Sequence, residues 1–120
     1  MGHLIDSAAN NHRRFVEAQF KDDCDCSGYD QEGWVAAQDY QHAPWSDLLA
    51  LWASYNRHLA HVVASIPEDI LRQPQPNHTL DEIALHRTNS HTPATLEYLF
   101  HDYYRHLEDH VGQLLSACDL

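Results

Sequence analysis

Eleven of the 120 residues are histidine, whose neutral ring is the commonest transition-metal ligand near neutral pH. Abundance does not make a site. Chance placement at this density gives about one His-x-x-x-His pair, and the chain holds one, His106 and His110. Their placement says more than their number. On a helix that turns about 100° per residue, both fall beside Leu99 and Tyr103 on the edge of an apolar stripe, one turn apart, so the two rings can converge on one ion. A third ligand has to come from another element, and the N-terminal segment offers His3 and His12. Nine residues separate them, which puts them on opposite sides of a straight helix: His12 within the apolar stripe, His3 among Asp6, Ser7 and Asn10. A helix with one buried face selects His12. A helix that turns a second, polar face to a pocket selects His3, and spacing alone leaves both open.

Three neutral imidazoles on a divalent ion leave one or more positions for water or a thiol, the arrangement of catalytic rather than structural sites. Such an ion lowers the pKa of bound water toward ~7 or holds a thiol as thiolate, which supplies a nucleophile for a small electrophile. Asp6, one turn from His3, and Asp102 and Asp109, flanking the ligands of the last helix, are candidates to orient the rings or relay protons from outside the metal's own shell; for each, a solvated helix carboxylate is the plainer role. Cys24-Asp25-Cys26 is a possible soft-metal clip, but on an acidic stretch without a second pair it reads as surface loop. His58 and His61 read as edge or solvent positions, and Trp45, Trp52 and Tyr55 as core.

These residues need elements to hold them. Leu4, Ile5, Ala8, Ala9, Phe15, Val16 and Phe20 predict an amphipathic helix from His3 to about Lys21. After an acidic loop over 22–32, a short helix is expected around Trp34 to Tyr40. A second strong pattern runs from Trp45 to Ile66 and is closed by Pro67. Residues 71–92 read as a long connection with one helical turn after Thr79. Thr92 and Pro93 then fit a cap and first turn, and Leu96, Leu99, Phe100, Tyr103, Leu107, Val111 and Leu114 carry a third helix to about Ala117. No alternating pattern suggests strands, so the expected class is all-α, a bundle.

Composition bounds the function. One domain accommodates the whole of 1–120. Eighteen acidic against seven basic residues give a formal charge of -11, which repels phosphate backbones and anionic membranes. No run of about 20 apolar residues is present, and mean hydropathy is -0.55. Neither nucleic acid nor a membrane is an expected partner. The three cysteines do not form a disulfide framework and the N-terminus has no secretion-signal pattern, so a cytoplasmic location is expected.

Gly2-His3-Leu4-Ile5-Asp6-Ser7 running on to Arg14-Phe15, then Tyr29-Asp30 with Trp34, then Asp102-Tyr103-Tyr104-Arg105-His106 with His110 form an ordered set over almost the whole chain. In that order they resemble the DinB-like superfamily, YfiT-like four-helix bundles that include metal-dependent hydrolases and thiol transferases. The resemblance implies an up-down-type four-helix bundle that holds a divalent transition metal, zinc or nickel, on His3, His106 and His110. It thus chooses His3 and leaves His12 as the alternative. Tyr29, Trp34 and Tyr103 become candidate pocket walls. The implied activity is attack of metal-activated thiol or water on a small-molecule substrate, as a thiol S-transferase or hydrolase, with a low-molecular-weight thiol as possible second cofactor. Only three long helices are visible, and a four-sided bundle would leave a seam of the first without a neighbour, so either a second copy supplies the missing face, as a homodimer, or the domain is N-terminally truncated; the family has a further helix before the Gly-His segment. The competing expectation is a non-catalytic helical bundle that binds a small molecule or a partner protein.

Overall fold

The computed structural model describes residues 1–21, 26–79, 84 and 93–118. Among them are five α-helices and no strand: α1 Gly2–Glu17, α2 Gln31–Ala37, α3 Trp45–Ala64, α4 Glu68–Leu71 and α5 Leu96–Ala117. The all-α expectation is met by these residues.

The first helix starts as early as the chain allows, with the Met1 carbonyl accepting from the N–H groups of Leu4 and Ile5 at 2.9 and 3.2 Å. It ends sooner than its apolar period suggests, since Ala18–Phe20 tighten into a 3₁₀ turn and leave Phe20 84% exposed. Helix α2 begins three residues before the expected position because Asp30 caps it, accepting from Gly33 N–H at 3.0 Å. Pro44 opens α3, and Pro67 follows its end and opens the single turn of α4. Helix α5 does not start at the Thr92–Pro93 pair; Thr92 lies outside the described residues and Pro93 is not helical. The cap is Thr95, whose hydroxyl oxygen accepts from Tyr98 N–H at 3.1 Å. One residue earlier, Ala94 is still paired through its backbone to Gln75, at 2.7 and 3.3 Å, and that pairing holds the chain out of helical conformation. The turn expected after Thr79 falls outside the described residues.

Gly2 packs on the Tyr40 ring, just before α3, while His12 meets Tyr55 further along both helices. Helices α1 and α3 therefore run in the same direction, which departs from a simple up-down order. Contacts of His3 with His106 and of Phe15 with Phe100 make α5 run opposite to α1. Between them lies the core: Ala8, Phe15, Leu59, Leu96, Leu99 and Tyr103 are all buried. Phe15 meets the edges of Phe100 and Tyr103 at ring separations of 6.2 and 6.3 Å, and Tyr103 anchors its hydroxyl on Asn56 Oδ1 at 2.6 Å. Burying a phenol is favourable when its O–H finds such a partner.

Two packing expectations change. Trp45 is not core, being 59% exposed, and it has exposed Leu49 and Leu51 on the same helix. Helix α1, expected to show an open seam, is enclosed on two sides, with Leu4, Ile5, Ala8 and Phe15 buried toward the core and Asp6, Ser7 and Asn11 also buried. The exposed large apolar side chains lie on α2, α3, α5 and Phe20 instead. No described helix is long and apolar enough to cross a membrane.

Candidate metal centre

The buried polar side of α1 resolves the choice that periodicity left open. His3 stands on the first turn of that side, and α5 brings His106 and His110 against it: one nitrogen from each of the three rings lies within 4.8 Å of the others. Ring centroids are 5.5 Å apart for His3 and His106, 5.1 Å for His3 and His110, and 4.4 Å for His106 and His110. All three are half-buried. His3 is held in place because its neighbours Leu4, Ile5 and Asp6 are almost fully buried.

Nε2 of His106 and Nε2 of His110 are 2.9 Å apart. Imidazole nitrogens bound to one ion at ~2.0–2.1 Å must lie roughly 3 Å from each other, so this pair already has ligand spacing, and a nitrogen of His3 lies within 4.8 Å of both. Gln113 Oε1 lies 3.2 Å from His110 Nδ1. With an amide oxygen as partner, the tautomer of His110 that makes this contact carries its proton on Nδ1 and leaves the Nε2 lone pair for a metal. Burial lowers the pKa of His3 and of His106, and the neighbouring His110 lowers both further. Both shifts favour the neutral rings of His3 and His106 that metal binding requires. The donor set fits a divalent transition metal.

The carboxylates divide. Asp6 is 1% exposed; its Oδ1 accepts from Tyr40 O–H at 2.6 Å and from Gln38 Nε2 at 2.7 Å, while among the described residues Oδ2 has no hydrogen-bond partner, and neither does the buried hydroxyl of Tyr29. Its charge supports the protonated form of His3, and the pKa of Tyr29 is raised by burial first and then by Asp6. Asp102 is buried beside the site and Asp109 is exposed; both act on His106 through their charge.

His12 does not join the trio. It faces α3, with Nδ1 3.2 Å from Tyr55 Oη and its ring 5.0 Å from that of His58, and its pKa is lowered by burial and then by His58. His58 and His61 stack at 6.4 Å on α3 and are exposed. Of the Cys-Asp-Cys stretch, Cys24 and Asp25 lie outside the described residues. Cys26 is buried, exchanging backbone hydrogen bonds with the Thr79 hydroxyl at 2.8 and 2.7 Å, a structural tie.

Beside the trio opens a cavity of about 570 Å³, walled by Ser7, Asn11 and Arg14 of α1, by Tyr29, and by Leu99, Asp102 and Tyr103 of α5. Tyr29 packs edge-on against Trp34 at 5.2 Å. No protein family, curated protein or solved structure matches the chain. Sequence reasoning missed Gln113, Gln38 and Tyr40. Gln113 had a signal, standing three residues after a candidate ligand on the same helix. Gln38 and Tyr40 had none, because they reach Asp6 from more than thirty positions away.

Proposed function

We propose that this chain is a divalent-metal-dependent enzyme of the DinB-like type, in which a low-molecular-weight thiol or water attacks a small electrophile, giving S-transfer or hydrolysis. The observation that carries this reading is the convergence of His3, His106 and His110 on the wall of a cavity large enough for a small molecule. Zinc or nickel suits an all-imidazole set. Such an ion, when bound, supplies Lewis acidity and a nucleophile at neutral pH. The protein's own groups prepare for it. Burial favours neutral rings at His3 and His106, Gln113 favours the tautomer in which His110 presents Nε2, and Leu99 and Tyr103 give one wall an apolar surface that limits water. A four-helix bundle completed by a second copy, acting in the cytoplasm, is part of the same proposal.

Metal analysis of untagged protein tests it. About one zinc or nickel per chain is expected, lost in His106→Ala and in His110→Ala while helical circular dichroism is retained. Metal-free protein, with the alanine variants altering only thermal stability, would favour the second reading, a non-catalytic bundle that binds a small molecule or partner. The exposed Trp45, Leu49 and Leu51 on α3 support that reading. Sedimentation reads the homodimer directly.

A further inference from the structure

A second pair of imidazoles meets where α1 touches α3, about 13 Å along α1 from His3. His12 is half-buried on α1 and His58 is exposed on α3. Their ring centres are 5.0 Å apart and the ring planes cross at 83°. A ring bound through one nitrogen at ~2.0–2.1 Å has its centre roughly 3.2 Å from the ion, so two such ligands at roughly 90–110° to each other have centres roughly 4.5–5.2 Å apart. The observed separation lies inside that window. We infer that His12 and His58 hold a second divalent transition-metal ion, which bridges α1 and α3 and takes its remaining ligands from water.

Tyr55, one turn before His58, places its Oη 3.2 Å from His12 Nδ1 and its ring edge-on to that of His12 at 5.6 Å. A phenol oxygen accepts as well as donates. In the tautomer with its proton on Nδ1, His12 is therefore oriented by Tyr55 and leaves its Nε2 lone pair for an ion, the outer support that ligand histidines ordinarily have. His61 lies beyond the window: its ring is nearly parallel to that of His58, at 6.4 Å. The neighbouring cations do not crowd the pair. Arg13 and Arg57 follow the two histidines and so stand about 100° round their helices; Arg13 is engaged by Glu17 at 2.8 Å and Arg57 by Ser54 Oγ at 3.1 Å. A chain of charge -11 attracts cations in general. With two protein ligands against three, this ion fills after the trio and is lost during purification, so about one ion per chain remains the expected content of the isolated protein.

The test titrates zinc into untagged, metal-free protein and follows the imidazole nitrogen resonances. Those of His12 and His58 should shift together, after those of His3, His106 and His110. His58→Ala removes an exposed ring, so the fold is kept, and zinc should then bind His12 about tenfold more weakly. His61→Ala, which removes another exposed ring of the same helix, should leave the response of His12 and His58 unchanged. Edge-on packing of two metal-free rings gives the same contact and none of these responses. Resonances of His12 and His58 that stay still in excess zinc, a His12 response of undiminished affinity in His58→Ala, or a response abolished by His61→Ala would overturn the inference. The metal-centre reading is judged separately, by whether His3, His106 and His110 respond; should they not, that reading falls, and the second site is still decided by His12 and His58.

Discussion

Replacing Tyr40 by Phe removes one oxygen and leaves the ring that packs on Gly2 in place. The lost O–H donates at 2.6 Å to Oδ1 of Asp6, a carboxylate that is 1% exposed and whose other oxygen has no partner among the described residues. A hydrogen bond to a charged group contributes about 1.5–3 kcal/mol, and water cannot easily replace the donor at so buried an acceptor. We expect Tyr40→Phe to cost about 2 kcal/mol, of which Gln38, still donating at 2.7 Å, restores little. For a chain of this size that corresponds to a fall in Tm of about 8 °C. Urea unfolding of wild type, Tyr40→Phe, Asp6→Asn and the double variant isolates the pair in a double-mutant cycle. In the Asp6→Asn background the Tyr40 substitution should cost less than half as much, because the acceptor has lost its charge. A single-variant cost below about 0.5 kcal/mol, or an equal cost in both backgrounds, would refute the idea that Tyr40 supports a buried ionised Asp6.

Zinc at a hundred times its Kd should stabilise the protein by about 2.7 kcal/mol, a shift in Tm reversed by chelator and absent in His106→Ala. His12→Ala should leave the zinc of the trio in place, since that ring faces Tyr55 and His58; loss of that zinc in this variant would mean that the trio is wrongly assigned. In the metal-free protein His3, His12 and His106 have folded-state pKa values below the ordinary 6.5. The unfolded chain therefore takes up protons first as pH falls, so stability should be constant above about pH 7 and decline below 6.5 through the lowered values. A flat profile from pH 7 to 5 would contradict this. Phe15→Ala, which empties a fully buried position, should cost about 3–5 kcal/mol in chemical unfolding.

The three long helices were legible because each carries an unbroken apolar period and α3 lies between prolines. Their ends were less so. Thr92–Pro93 has the chemistry of a helix start, yet α5 begins at Leu96 because the Ala94–Gln75 pairing intervenes, and no local signal announces a pairing across nearly twenty residues. The ligand pair on α5 was readable from its own spacing. On α1, periodicity read with a single buried face pointed to His12 but left His3 open, and the structure brings His3 to the trio because Asp6, Ser7 and Asn11 are buried on a second side. An amphipathicity argument assumes that polar means solvated, and the assumption breaks where a polar side lines a cavity. Trp45 fails in the opposite sense: its place in an apolar stripe suggested core, but no described element covers the start of α3 on that side.

The candidate ligands stand far apart along the chain, at residue 3 and at residues 106 and 110. An ion gripped there would fasten two helices across a loop of about a hundred residues, the kind of closure whose entropy is hardest to recover once lost. Amide hydrogens in the first turn of α1 and the middle of α5 would then exchange with solvent as one unit, slowed together by a single bound cation.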